Sequence, residues 1–80
     1  MMKIFDNYDV IDNKKYLYLP AGFNEPLDDY KLDDDLYCIY FGEKFNQTLD
    51  NVIFPSTLIS MTFGFYFDQP LSMLNFLILY

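Results

Sequence analysis

Eighty residues suffice for one domain, and a chain of this size hides only about 60–65% of its unfolded surface when it folds, so its core must be thin. Twelve acidic residues against five lysines, with no arginine and no histidine, give a net charge of −7. That balance repels phosphate backbones and anionic lipid surfaces, and it excludes readings built on basic patches or guanidinium forks. Nine Phe and eight Tyr within an apolar content of 52% exclude disorder and assign much of the packing to aromatic rings.

In chain order, residues 1–15 carry little periodicity and are expected to form an N-terminal cap. Asp6 and Asp9 interrupt the apolar run that a secretory leader requires. From residue 16 a period of 22 governs the chain. Phe23-Asn24-Glu25-Pro26-Leu27 recurs as Phe45-Asn46-Gln47-Thr48-Leu49 and as Phe67-Asp68-Gln69-Pro70-Leu71, without insertion or deletion. Leu17, Ile39 and Met61 align, as do Leu19, Phe41 and Phe63; then Tyr30, Val52 and Leu74; then Leu32, Phe54 and Phe76; and Leu36 with Leu58. Apolar positions held at a fixed period while the residues between them vary are the signature of a stacked core. Three copies are assigned, at 16–37, 38–59 and 60–80.

Within each copy one short segment alternates in polarity and is rich in residues suited to strands: Tyr16–Leu19, Cys38–Phe41 and Ser60–Phe63. Strands one full copy apart can pair only as parallel neighbours, each returning through a crossover. The fold class expected is therefore a β-rich short solenoid of stacked 22-residue repeats with short parallel strands. Asn24, Asn46 and Asp68 are expected to form an internal polar row that satisfies backbone groups at each return. Phe23, Phe45 and Phe67 are expected to stack in the core. Gly42 and Gly64 call for either a positive φ or a close backbone approach.

The run from Phe41-Gly42-Glu43-Lys44-Phe45-Asn46-Gln47-Thr48-Leu49 through Phe54-Pro55-Ser56-Thr57-Leu58-Ile59-Ser60-Met61-Thr62-Phe63-Gly64 resembles the FNIP repeat family. The resemblance covers Leu17 to Leu71 and is closest in the central copy. The outer copies depart from it: Pro20 stands where the others carry Gly42 and Gly64, Asp33-Asp34 replaces Pro55-Ser56, and Asp68 replaces the Asn. FNIP repeats are relatives of leucine-rich repeats, so the resemblance implies a leucine-rich-repeat-like stack. It also implies a role in protein–protein interaction and an amoebal or viral source.

Chemistry-bearing groups are sparse. With no His, one thiol without a His partner and scattered hydroxyls with no obvious base, no enzymatic activity is expected. The acidic run Asp28-Asp29-Tyr30-Lys31-Leu32-Asp33-Asp34-Asp35 lacks the glycine and terminal Glu of a calcium loop and reads as a solvated loop, so neither metal nor cofactor is expected. Cys38 is the only cysteine, which fits a reducing compartment. Met73–Tyr80 is about half the length of a membrane span, and the chain is expected to be soluble and cytoplasmic.

If Leu17, Leu19, Ile39, Phe41, Met61 and Phe63 face inward, then Tyr16, Tyr18, Cys38, Tyr40, Ser60 and Thr62 face outward on the parallel sheet. These six are the candidate contacts for a protein partner, since Tyr buries much area at little entropic cost. The alternative is that they only stabilise the sheet across strands. A second expectation concerns the far end. Leu77 and Leu79 would give a fourth strand with nothing polar to cover its edge, which suggests self-association there or a shortened relative of a longer array.

Overall fold

The computed structural model describes residues 3–5, 8–69 and 78–79. Among these there is no α-helix; one 3-10 turn spans Leu27–Asp29. Seven strands form two open sheets. In chain order they are β1 (Lys3–Ile4), β2 (Tyr8–Ile11), β3 (Lys14–Tyr18), β4 (Tyr30–Lys31), β5 (Leu36–Tyr40), β6 (Ser60–Thr62) and β7 (Ile78–Leu79). β1 and β4 make a small parallel pair, while the main sheet has the order β2-β3-β5-β6-β7.

The period expected from the sequence is the register of the main sheet. Leu17 pairs with Ile39 and Ile39 with Met61, in parallel and 22 residues apart, and all three are fully buried. The irregular segments repeat as well. Leu19 N–H donates to the Tyr40 carbonyl at 2.9 Å, and one copy on Phe41 N–H donates to the Thr62 carbonyl at 2.8 Å. Lys44 N–H bonds the Ala21 carbonyl as Tyr66 N–H bonds that of Glu43. Neighbouring copies thus satisfy each other's backbone at the returns, which is how loops outside the ladder avoid orphaned polar groups. At the far end the spacing changes: β7 pairs with β6 through Ser60–Ile78 and Met61–Leu79, an offset of 18. Leu79 lies in this strand; Leu77, Leu74 and Phe76 lie outside the described residues.

Strand boundaries differ from the expected ones. β3 and β5 each begin two residues earlier and end one earlier. Within the β3–β5 pairing lies a β-bulge. Lys15 faces Leu36 but Tyr16 faces Cys38, so Tyr37 is an extra residue in β5. The bulge lets Leu36 and Ile39, three apart, both point inward and be fully buried, which strict alternation forbids.

The N-terminal segment is a hairpin. β2 pairs antiparallel with β3 through a two-residue turn at Asp12 and Asn13, whose φ values of 53° and 65° are those of a type I′ turn. Asp and Asn tolerate this left-handed region better than other residues with side chains.

The core comprises Leu17, Leu19, Leu27, Leu32, Leu36, Ile39, Phe41, Phe45, Leu49, Leu58 and Met61. Phe23, Phe45 and Phe67 stack as a column with centroids 6.1 and 6.0 Å apart and near-parallel planes. Phe45 in the middle is fully buried. The spacing exceeds that of one strand pair, and Phe41 and Phe63 fill the gaps, each stacked on the Phe four residues later at 4.4 and 4.0 Å.

One expectation changes and one narrows to the second of its two alternatives, the close backbone approach. The Asn row exists: Asn24 Oδ1 accepts from Asn46 N–H at 2.9 Å, and Asn46 Oδ1 from Asp68 N–H at 2.9 Å. Gln47 and Gln69 donate side-chain bonds to the same oxygens. The row is solvent-exposed rather than internal. Gly42 and Gly64 need no positive φ; a Cβ there would meet a backbone carbonyl oxygen of the preceding copy at 2.2 and 2.3 Å.

Candidate interaction surface

The face of the main sheet opposite the core is built by alternation from β2, β3, β5 and β6. Partners across a ladder point the same way. Asp9 therefore joins Tyr16, Cys38 and Ser60 in one row, and Tyr18, Tyr40 and Thr62 form the next. The Tyr18 and Tyr40 rings stack with centroids 4.7 Å apart and planes within 5°. Tyr18 is 45% exposed, and Tyr16, Tyr40, Ser60 and Thr62 are half-buried.

Cys38 differs from the other five expected contacts. It sits in the outward row but is only 5% exposed, and its Sγ accepts a hydrogen bond from Ser60 Oγ at 3.2 Å. Flanked by Tyr16 and Ser60 and overlooked by longer rings, a short thiol contributes packing and almost no surface.

Two further residues belong to this face. The bulge turns Tyr37 outward, where its ring meets Tyr16 edge-on at 5.6 Å and lies under Lys14 Nζ at 5.4 Å. Ile59, one period later, is 45% exposed and donates its N–H to the Tyr37 carbonyl. The sequence held a signal for both. The aligned Leu36 and Leu58 lie three residues before Ile39 and Met61, and burying both members of either pair requires an extra residue between them.

Ring packing desolvates Tyr16 and Tyr18 and raises both above the usual tyrosine value, with Cys38 adding to the first and Tyr40 and Asp9 to the second. Each neutral hydroxyl can donate and accept a hydrogen bond at its wet tip while the ring offers an apolar face. Among the described residues no group of three or more metal-ligating side chains converges.

The FNIP Repeat family model matches residues 23–66 and again residues 45–77, two placements offset by one period. No curated protein and no solved structure matches the chain.

Proposed function

Because the chain belongs to the FNIP repeat family, matched over more than half of its length, we propose that it is a short leucine-rich-repeat-like solenoid acting as a non-catalytic protein-interaction module. The observation that carries this reading is the stacked Tyr18–Tyr40 pair, Tyr18 exposed and Tyr40 half-buried, on the parallel sheet beside Tyr16 and Tyr37. Tyrosines already ordered by stacking lose little further entropy on binding, so their area is available for affinity. Hydrogen bonds that recur at a 22-residue period support the solenoid description. A non-catalytic role rests on the absence of any imidazole and on the burial of the single thiol. That free thiol also fits a reducing, cytoplasmic setting, and the net charge of −7 disfavours nucleic acid and anionic membrane as partners.

Affinity capture with wild type, the double variant Tyr18→Ala/Tyr40→Ala and Leu79→Glu tests it. A protein partner should be retained by wild type and Leu79→Glu and lost with the double variant, whose circular dichroism should be unchanged. Retention by the double variant overturns the strand-face assignment.

A second reading is favoured by the position of β7, which ends the sheet order and, among the described residues, pairs on one side only, with β6. An edge of this kind can pair with a second copy. Leu79→Glu would then reduce the mass measured by light scattering from dimer to monomer, and a monomeric wild-type chain would dismiss it.

A further inference from the structure

A cleft lies away from the strand face. The return segments of the first and second copies leave an open cleft of about 320 Å³ between residues 28–34 and 51–55. Its apolar wall is formed by Leu32, Phe54, Pro55 and Ile53, and its rim carries Asp28 and Asp34. Ile53 is 91% exposed, although Val52 and Phe54 on either side of it turn toward the core. A fully hydrated isoleucine beside a cleft is surface that a partner can cover.

The charge of the rim selects the partner. Asp33 and Asp35, in the same acidic run, are engaged by Lys15. Among the described residues Asp28 and Asp34 have no ammonium group within ion-pair distance. Lys31 contributes one positive charge to the cleft, which leaves the two carboxylates in excess on a chain of net charge −7. We propose that this cleft binds a basic, leucine-bearing peptide segment of a partner protein. An aliphatic side chain would pack on Ile53, Phe54 and Pro55 while flanking lysines or arginines reach Asp28 and Asp34. Anions, nucleic acid and acidic lipid are turned away by the same rim.

Fluorescence anisotropy of a short labelled peptide alternating lysine and leucine tests the proposal, with a glutamate–leucine peptide as its charge-reversed control. The wild-type chain and Tyr40→Ala should bind the lysine peptide alike, because the strand face is not involved. Asp28→Asn/Asp34→Asn should weaken binding by about two- to fivefold per carboxylate. Ile53→Ser should weaken it roughly tenfold, the worth of covering an exposed aliphatic side chain. Asp28, Asp34 and Ile53 are exposed and Tyr40 is half-buried at the sheet surface, so circular dichroism should show the fold intact in each variant. No binding to wild type, equal binding of the glutamate peptide, or undiminished binding by the Asp and Ile variants would overturn the proposal. Loss of binding in Tyr40→Ala alone would transfer the peptide to the strand face and also overturn it.

Discussion

At Gly42 the nearest obstacle to a side chain is the carbonyl oxygen of Pro20, 2.2 Å from where a Cβ would stand; at Gly64 it is that of Gly42, at 2.3 Å. Backbone cannot swing aside as a side-chain tip can, so Gly42→Ala is expected to cost about 1–3 kcal/mol, the usual penalty of overpacking. Pro20→Ala, at an exposed position with no earlier copy beneath it, should leave the melting temperature nearly unchanged. Equal shifts for the two would contradict the close-approach account. Asn46 is held to the same standard. Its Oδ1 accepts from Asp68 N–H and Gln69 Nε2, so Asn46→Leu should lose about 1–2 kcal/mol by denaturant titration, moderated because water can replace part of both bonds at an exposed site. The recurrence of Asn was legible in the sequence. Its exposure was not, because a fixed period reveals that a residue meets its counterpart but not which side of the return the meeting occupies.

Among the elements, the Phe column carries the most packing. Phe45→Ala removes a fully buried ring from between Phe23 and Phe67 and from its contact with Phe41, for an expected loss of about 3–5 kcal/mol. Typical stability for a chain this long is about 4–12 kcal/mol, so the variant should be at or near the edge of folding by circular dichroism. The β2–β3 hairpin offers the opposite change. Asn13→Gly, at φ 65°, should raise stability by roughly 0.5 kcal/mol, since a type I′ turn favours glycine at that position. These two elements also mark what the sequence revealed and what it withheld. The parallel pairing of Tyr16, Cys38 and Ser60 followed from the period alone, because copies in register leave no other neighbour. The hairpin's first strand and its turn lie outside the repeats, where Asp12-Asn13 was the only local cue. Tyr37 was assigned to no face because the expected strand began at Cys38, whereas β5 begins at Leu36 and holds the bulge that lets Leu36 and Ile39 both face inward.

For the whole molecule, proton binding sets the range of conditions in which the fold is secure. Lys3 and Lys15 are raised above the usual lysine value by hydrogen bonds to Glu25 and Asp33, and Tyr8, Tyr16, Tyr18 and Tyr30 are raised by desolvation. Each of these groups holds its proton more tightly folded than unfolded. Their contribution is complete below the unfolded values of 10.0 for tyrosine and 10.5 for lysine, and it is lost as pH rises through the higher folded values. Glu25 runs the other way: its carboxylate, lowered by the Lys3 hydrogen bond, contributes above its usual 4.5 and ceases to as pH falls. Thermal melts should therefore hold level at neutral pH and decline on alkaline titration as phenolate absorbance appears. A melting temperature that rose across the tyrosine range would contradict the sign.

The seating of each glycine on the copy before it makes the array directional in how it can be lengthened. An extra unit copied from residues 38–59 and inserted after Ile59 would bring its own glycine to every new junction and could join in register. A unit copied from residues 16–37 and placed second would bring the ring of Pro20 to a position where a single methyl group already collides. The first copy can begin an array but cannot be repeated within one, so growth by internal duplication has to draw on a copy that carries the glycine.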